Sequence, residues 1–278
     1  VTSSGSVGSG AGTYTMTYSA SDAVGNSAIA VRTVIVGDTI APVITLSGDA
    51  EMTHEQGTTY TDAGASAADA VDTSVDVVTT GSVDSDTAGT YTVTYTATDA
   101  AGNMAAAVTR KVTVGDTTVP VITLTGDASV NHEQATAYTD AGATVTDTVD
   151  TSIEVVTAGT VDTATAGTYT LTYSAIDSAG NEATAITRTI IVADTIAPVI
   201  VLNGAANLSH EQGTTYTDAG ATASDIADGS VTVTTSGTVD TTTAGTYTLT
   251  YSATDSAGNA ATAVTRTVIV ADTMAPII

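Results

Sequence analysis

Apolar and polar residues alternate in short segments along almost the whole chain, and no segment sustains a helical period. The longest alternation, at 90–99, places Tyr91, Val93 and Tyr95 on one face and threonines on the other. Alternation with a period of two is typical of β-strands that bury one face. About seven such strands recur in each stretch of 78 residues, so the pattern predicts an all-β fold built of β-sandwiches.

The predicted strands of the first complete stretch are separated by glycines and polar turns. Six of them lie at 42–48, 50–57, 58–67, 74–81, 90–99 and 105–114, with a polar loop at 69–72. Because each strand is short and the connections are tight, we expect a small sandwich with a modest core.

A D-T-x-x-P join follows the last strand of each sandwich and begins the next repeat. This join returns every 78 residues, at 38–42, 116–120, 194–198 and 272–276. A fixed period of this length is the sequence signature of stacked structural units. We therefore predict complete repeats at 38–115, 116–193 and 194–271. They are flanked by the C-terminal half of a repeat at 1–37 and the start of a further repeat at 272–278. Simple truncation is the favoured explanation of the half-repeat, and completion by another copy of the chain is the alternative.

Three further motifs accompany the join in each repeat. They are the TAGTY start of the penultimate strand, the D-x-A-G-N hairpin that follows it, and the fixed order of the segments. Together these motifs resemble the tandem bacterial immunoglobulin-like repeats of giant calcium-binding surface adhesins and of cell-surface stalks or filaments. Tyr91 after Gly89 resembles a tyrosine corner, and Val93 stands where an immunoglobulin cysteine would be. The resemblance covers nearly the whole chain and implies a tandem array of immunoglobulin-like β-sandwich domains on a bacterial surface.

The balance of acidic and basic residues indicates which classes of binding partner the chain can have. Thirty acidic residues against five basic ones give a net charge of −25, which is spread over all the repeats. Such acidity disfavours nucleic acid and anionic membranes and favours divalent cations. No stretch is apolar enough to predict a membrane span, and the absence of cysteine excludes disulfides. We expect adjacent repeats, and other copies in a filament, as the partners of each repeat.

Acidic residues gather at three places that an immunoglobulin-like topology brings to one pole of each domain: the join, the loop before the fourth strand and the D-x-A-G-N hairpin. The candidate metal ligands are Asp38, Asp69, Asp72, Asp99 and Asn103; Asp116, Asp147, Asp150, Asp177 and Asn181; Asp194, Asp225, Asp228, Asp255 and Asn259; and Asp22, Asn26 and Asp272 in the flanking pieces. Carboxylate and amide oxygens without thiols suit Ca²⁺ better than Mg²⁺, which demands a stricter octahedron. The resemblance likewise implies calcium at the joins. The alternative is that these residues only form turns.

Two other groups recur. The H-E-Q triplets at 54–56, 132–134 and 210–212 are interpreted as solvated strand residues, because no second histidine or nucleophile accompanies them. Arg32, Arg110, Arg188 and Arg266 share the parity of the apolar residues on the last strand. An inward guanidinium must be paired, so we expect salt bridges from Arg110 to Glu55 or Asp62 and at the corresponding positions. A bulge that turns the arginine outward is the alternative.

Catalytic motifs such as G-x-S-x-G, H-E-x-x-H, a phosphate loop or C-x-x-C do not occur in the sequence. We therefore predict a non-catalytic, extracellular protein, the calcium-rigidified stalk or filament of a bacterial cell-surface adhesin. The alternatives are a self-assembling extracellular fibre subunit completed by strands of a neighbouring copy and an array of carbohydrate-binding modules. The second is disfavoured because the chain has no tryptophan or phenylalanine to form a sugar platform.

Overall fold

The computed structural model describes residues 1–275, and these residues form strands and no helix. The predicted all-β fold is therefore confirmed. Consistent with this, none of the described residues forms a helix that is long and apolar enough to cross a membrane. The chain divides into two compact units, Val1–Thr118 and Val119–Ile278. The predicted start of a further repeat spans 272–278, and its last three residues, 276–278, lie outside the described residues.

The first unit contains nine strands. They are β1 (Thr2–Ser4), β2 (Gly12–Ser21), β3 (Ser27–Val36), β4 (Val43–Leu46), β5 (Glu51–Glu55), β6 (Ala65–Ala68), β7 (Val77–Thr80), β8 (Gly89–Ala97) and β9 (Val108–Gly115). They form a three-stranded sheet β1-β2-β3, a two-stranded sheet β4-β6 and a four-stranded sheet β5-β9-β8-β7. The last two sheets face each other, because the apolar sides of β8 and β9 are buried beneath β4.

The alternation seen in the sequence sets this packing. Val93, Tyr95 and Ala97 of β8 are buried, together with Val112 and Val114 of β9, whereas the threonines between them face away from the core. Because side chains on a strand alternate between its two faces, one sheet face becomes apolar and the other polar.

Strand β5 is an exception to the antiparallel pattern. It pairs in parallel with β9, with Glu51 opposite Lys111 and Glu55 opposite Gly115. The chain crosses from one sheet to the other between β4 and β5, so β5 reaches the edge of the larger sheet in the same direction as β9. As a result, Glu55 lies beside the start of the next join.

The strand predicted at 58–67 is only partly correct, since pairing begins at Ala65. The carboxylate of Asp62 accepts a bond of 3.0 Å from the backbone N–H of Gly64, and Gly64 has a φ of 76°. An aspartate turn of this kind competes with regular strand pairing, so the preceding residues form an irregular connection.

The described part of the second unit, residues 119–275, contains thirteen strands. They are β10 (Val121–Leu124), β11 (Ser129–Glu133), β12 (Ala143–Thr146), β13 (Val156–Ala158), β14 (Gly167–Ser174), β15 (Ile186–Ala193), β16 (Val199–Leu202), β17 (Asn207–Glu211), β18 (Ala221–Asp225), β19 (Gly229–Val231), β20 (Val233–Ser236), β21 (Gly245–Ala253) and β22 (Val264–Ala271). Their sheets are β10-β12 with β11-β15-β14-β13, and β16-β18-β19 with β17-β22-β21-β20. Strand β19 has no full counterpart in the first unit, where an isolated bridge joins Ala67 to Val75.

In each of the three complete repeats the inward arginine of the last strand is paired, as predicted, and its partner is aspartate rather than glutamate. Arg110 is 1% exposed, and its Nη1 forms an ion pair with Oδ1 of Asp62. Its Nε donates to the carbonyl of Asp49 at 3.0 Å. Tyr95 donates its hydroxyl to the same carboxylate at 2.7 Å. The same network joins Arg188 to Asp140 and Arg266 to Asp218.

This network shifts the pKa values of its members. Burial alone would raise the pKa of Asp62, but the hydrogen bonds from Tyr95 and Arg110 outweigh it and the pKa is lowered. Burial and the bond to Asp62 raise the pKa of Tyr95 to about 12. The carboxylate is therefore held charged and the phenol neutral, which keeps the buried guanidinium paired.

Strands β1 to β3 repeat the register of the larger sheet without its cover. Met16 pairs with Arg32 as Val93 pairs with Arg110. Arg32 is exposed, in contrast to the buried Arg110. The arginine is thus buried only where the opposite sheet supplies its aspartate partner.

Candidate metal centre at the repeat joins

Three acidic residues from separate segments meet at one end of the first complete sandwich. Asp38 lies in the join, Asp69 directly follows β6, and Asp99 lies in the turn after β8. One carboxylate oxygen from each residue lies within 4.8 Å of the other two. Because β6 and β8 end at the same pole of the sandwich, residues far apart in the sequence become neighbours.

Asp38 and Asp69 each use one oxygen to shape a local turn, whereas both oxygens of Asp99 accept bonds from Asn103. Oδ1 of Asp38 accepts the backbone N–H of Ile40 at 3.1 Å, and Oδ1 of Asp69 accepts that of Val71 at 2.8 Å. The turn-forming role that the sequence left open is therefore real. It does not occupy the other oxygens, since Oδ2 of Asp38 and Oδ2 of Asp69 are buried and have no hydrogen-bond donor.

The second unit contains the same arrangement at the join that follows β15. Carboxylate oxygens of Asp194, Asp225 and Asp255 lie within 4.8 Å of one another. Oδ1 of Asp225 accepts the backbone N–H of Ala227 at 2.7 Å, whereas its Oδ2 and both carboxylate oxygens of Asp194 are buried without a donor. Asp255 is 8% exposed. Apart from a weak contact of Asp194 with the backbone N–H of Ile196, none of the described residues donates a hydrogen bond to these three buried oxygens.

Without a cation, the negative charges of the carboxylates in this second cluster repel one another. Burial raises the pKa of Asp194, and the negative charges of Asp225, Asp255 and Glu133 raise it further. Burial would also raise the pKa of Asp255, but hydrogen bonds from Asn259 outweigh it and lower that pKa. Asp255 is thus held charged beside Asp194, whose ionisation is disfavoured. A bound cation would offset the repulsion between the two carboxylates.

The second aspartate of each polar loop has a different contact. Oδ2 of Asp72 accepts the backbone N–H of Ala100 at 2.8 Å, and Oδ2 of Asp150 accepts that of Ser178 at 2.7 Å. Asp228 accepts both the N–H and the hydroxyl of Ser256, at 2.6 and 2.8 Å. These residues hold the loop against the hairpin and lie outside the three-carboxylate clusters of the described residues.

The hairpin asparagines position the buried aspartates. Nδ2 of Asn103 donates to Oδ2 of Asp99 at 2.7 Å and to the carbonyl of Asp38 at 3.3 Å. Asn259 makes the corresponding bonds to Asp255 and Asp194, at 2.9 and 3.2 Å. The amide thereby ties the hairpin to the join, and both clusters depend on it for their shape.

The remaining predicted ligands form the same local turns. Asp147 accepts the N–H groups of Val149 and Asp150, and Asp177 accepts that of Asn181. Asp116, near the end of the first unit, accepts the N–H of Thr118 at 3.1 Å. In the flanking pieces, Asp22 is bonded to Asn26, and Asp272 to the N–H of Met274. Asp22 and Asp272 are exposed, and neither belongs to a three-acid cluster within residues 1–275.

The H-E-Q triplet lies at the end of strand β5, in line with its interpretation as strand residues, but its side chains are half-buried and hydrogen-bonded rather than simply solvated. Nε2 of His54 lies 3.1 Å from the carbonyl of Thr58, and Gln56 donates to the carbonyl of Asp86 at 2.9 Å. Oε2 of Glu55 accepts the N–H and the hydroxyl of Thr117 in the next join, at 2.9 and 2.5 Å. The parallel pairing of β5 with β9 brings the triplet to the join. No signal in the sequence marked this contact, since every pair of equivalent residues keeps a constant separation in a chain that repeats every 78 residues.

The donor set at the two clusters consists of carboxylate oxygens. Such hard oxygen donors are the ligands that Ca²⁺ uses in proteins, at about 2.3–2.6 Å. The buried oxygens of Asp38, Asp69, Asp194 and Asp225 lack any other partner. The residues present therefore fit a divalent, oxygen-seeking cation.

Fold and site together define the class of protein: tandem β-sandwich repeats whose joins carry clustered carboxylates. The model of the family described as "Bacterial surface protein, Ig-like domain" matches residues 44–114, 122–192 and 200–270. These residues make up well over half of the chain. The chain belongs to this family, and the predicted resemblance to bacterial immunoglobulin-like repeats is confirmed. It is thus a tandem-repeat protein of the bacterial-surface type.

Solved structures give looser matches. A lipoprotein from Bacteroides thetaiotaomicron is 32% identical over 28% of this chain, with a TM-score of 0.26, and the chain spans 40% of that lipoprotein. Drosophila N-cadherin EC1-4 is 13% identical, with 92% of this chain and 82% of that one covered and a TM-score of 0.28. Domains 1-6 of the surface layer protein SbsC are 12% identical, with coverages of 96% and 45% and a TM-score of 0.26. No curated protein has a significant sequence match to the chain. Superpositions this loose do not bear on function.

Proposed function

We propose that the chain is a structural, non-catalytic part of a bacterial cell-surface stalk or filament, and that Ca²⁺ bound at the joins stiffens it. The observation that carries the proposal is the set of buried carboxylate oxygens without donors at the joins, on Asp38 and Asp69 and on Asp194 and Asp225. Burying charged oxygens without a partner is costly, and a divalent cation offsets that cost.

A cation at such a site connects two segments that otherwise meet only through hydrogen bonds. Asp38 belongs to the join that leads into the sandwich, while Asp69 and Asp99 belong to its loops. Ca²⁺ bound by all three would fix the direction in which the chain enters the domain. Ligand that binds only the folded state at a hundredfold excess over Kd stabilises it by about 2.7 kcal/mol. Calcium would therefore act on stiffness and stability together.

Adjacent repeats are the immediate partners in this proposal, and other copies of the chain would follow in a filament. The acidic surface, with a net charge of −25, favours a calcium-rich exterior over anionic partners. No part of the proposed function requires a reaction, because the clustered acids act as cation ligands.

Small-angle scattering of the full chain with excess CaCl₂ and then with EGTA tests the proposal. We expect a longer and sharper maximum dimension with calcium than with the chelator. A chain carrying Asp69→Asn and Asp225→Asn is the control, and its curves should differ less between the two conditions. Identical curves for the unaltered chain in both conditions would contradict calcium-dependent stiffening.

A further inference from the structure

The parallel ladder between β5 and β9 lies on the path that tension would take through the first complete sandwich. The chain enters this sandwich at the join before β4 and leaves it directly after β9. Five residues of each strand pair, from Glu51 opposite Lys111 to Glu55 opposite Gly115. Tension on the two joins therefore pulls β5 at its first residue and β9 at its last, which are opposite ends of one ladder. Because the bonds of a parallel ladder run across the strands, such a pull strains all of them together instead of opening them one after another.

Arg110 closes the end of the ladder at which the chain enters. Its Nε donates to the carbonyl of Asp49 at 3.0 Å, and its Nη2 donates to the carbonyl of Ser47. Both carbonyls belong to the segment that links β4 to β5. The backbone N–H of Lys111 adds a bond of 2.8 Å to the carbonyl of Ala50. The entering segment is thus attached to β9 before β5 begins, by a buried side chain whose bonds are shielded from competing water.

Glu55 closes the other end of the ladder, at which the chain leaves. Its Oε2 accepts the N–H of Thr117 at 2.9 Å and the hydroxyl of the same residue. The backbone N–H of Gln56 donates to the carbonyl of Gly115 at 3.1 Å. Thr117 lies two residues beyond the end of β9. The contact therefore holds the departing chain alongside β5, so that tension cannot peel β9 away from its last residue.

The complete sandwiches of the second unit have the same three features. Their parallel ladders join β11 to β15 and β17 to β22. The arginine Nε bonds are those of Arg188 to the carbonyl of Asp127 and of Arg266 to the carbonyl of Ala205, and the glutamate contacts are those of Glu133 with Thr195 and of Glu211 with Thr273. Since alanine replaces aspartate at one of these positions, the bond depends on the backbone carbonyl. By contrast, the sheet β1-β2-β3 is paired only in antiparallel fashion, and its Arg32 is exposed.

We propose that each complete sandwich is built to resist tension along the chain. The parallel ladder transmits the pull from one join to the next, and the arginine and the glutamate at its two ends keep it from opening. This function goes beyond calcium-dependent stiffening, because stiffness concerns bending at the joins, whereas the ladder resists extension inside a sandwich. It requires no cation.

Optical tweezers that hold the full chain by its two ends test the inference, with EGTA present to remove any contribution of calcium. We expect three abrupt unfolding events, each releasing about one repeat, after the sheet β1-β2-β3 has extended at lower force. With Glu55→Ala, one of the three sandwiches should unfold about tenfold faster at the same force. Forced unfolding is governed by the unfolding rate, and one charge-assisted hydrogen bond is worth roughly that factor. The other two sandwiches of the same molecule serve as internal references.

Tyr91→Phe is the matched control. Tyr91 donates its hydroxyl to the carbonyl of Thr87 at 2.8 Å, so this substitution also removes a side-chain hydrogen bond, but one outside the β5–β9 ladder. Hydrogen exchange of the β8 amides measures the stability that each variant loses without force. We expect Glu55→Ala to raise the unfolding rate under force by more than its loss of stability accounts for, and Tyr91→Phe to raise it by no more than that. Equal proportions in the two variants, or extension of the unaltered chain without distinct events, would overturn the inference. Calcium binding is tested separately, so neither result bears on the proposed function.

Discussion

The hydroxyl oxygen of Tyr95 lies 3.0 Å from Nη1 of Arg110, and both groups contact the carboxylate of Asp62 inside the sandwich. The guanidinium of Arg110 also lies over the ring of Tyr95, 5.7 Å from its centroid. The two residues sit on adjacent strands, β8 and β9, while Asp62 comes from the irregular segment before β6. A buried charge is thus held by three parts of the domain at once, and it ties them together.

Removing this arginine should destabilise its sandwich strongly. Arg110→Ala leaves Asp62 with a partly buried, unpaired charge, and breaking a buried ion pair typically costs about 3–5 kcal/mol. Hydrogen exchange of the β8 and β9 amides measures the loss locally, which avoids treating the whole array as a two-state system. Arg32→Ala is the control, because Arg32 is exposed. Its expected effect is within about 0.5 kcal/mol, and equal effects of the two substitutions would contradict the network's role.

Alkaline pH should unfold the sandwiches through their buried tyrosines. Burial and hydrogen bonding to aspartate raise the pKa of Tyr95, Tyr173 and Tyr251 to about 12. Since the pKa is higher in the folded state, the stabilisation is complete below about pH 10, the unfolded value. It is lost as the pH rises toward 12. Absorbance of tyrosinate should show these three phenols ionising last, together with unfolding. Ionisation of all the tyrosines near pH 10 with the fold intact would refute this assignment.

A glycine should be preferred to the alanine that follows the second H-E-Q triplet. Ala135 has a φ of 59°, whereas the equivalent Gly57 and Gly213 have φ values of 77° and 80°. Because this left-handed region disfavours a Cβ by about 1 kcal/mol, Ala135→Gly should stabilise its sandwich by roughly that amount. Gly57→Ala should destabilise the first complete sandwich to a similar extent. Thermal unfolding of the two variants tests the pair, and shifts of the same sign would contradict the prediction.

Much of the fold could be predicted because its determinants are local. The alternation of residues such as Val93 and Tyr95 reports which face of a strand is buried, and the parity of Arg110 indicated an inward guanidinium that needs a partner. The choice of Asp62 over Glu55 as that partner could not be predicted. It depends on β5 running parallel to β9, a pairing between segments that are distant in the sequence.

The candidate site was predictable in outline for the same reason. Asp38, Asp69 and Asp99 follow from the topology, since join, loop and hairpin meet at one pole. The separate role of Asp72, which holds the loop to the hairpin, depends on which of two nearby aspartates points inward, and this is decided by turn geometry. The contact between Glu55 and Thr117 was missed because the triplet was interpreted as an isolated strand motif.

Calcium titration of the full chain by calorimetry is the most direct test of the central claim, that the clustered carboxylates at the joins bind Ca²⁺. The unaltered chain is compared with a chain carrying both Asp69→Asn and Asp225→Asn. Each substitution neutralises one carboxylate whose Oδ2 is buried without a donor, in one of the two clusters. We predict that the unaltered chain binds calcium and that the double variant loses two binding sites. Absence of binding, or an unchanged number of sites in the double variant, would contradict the account and reduce these acids to residues that only shape turns.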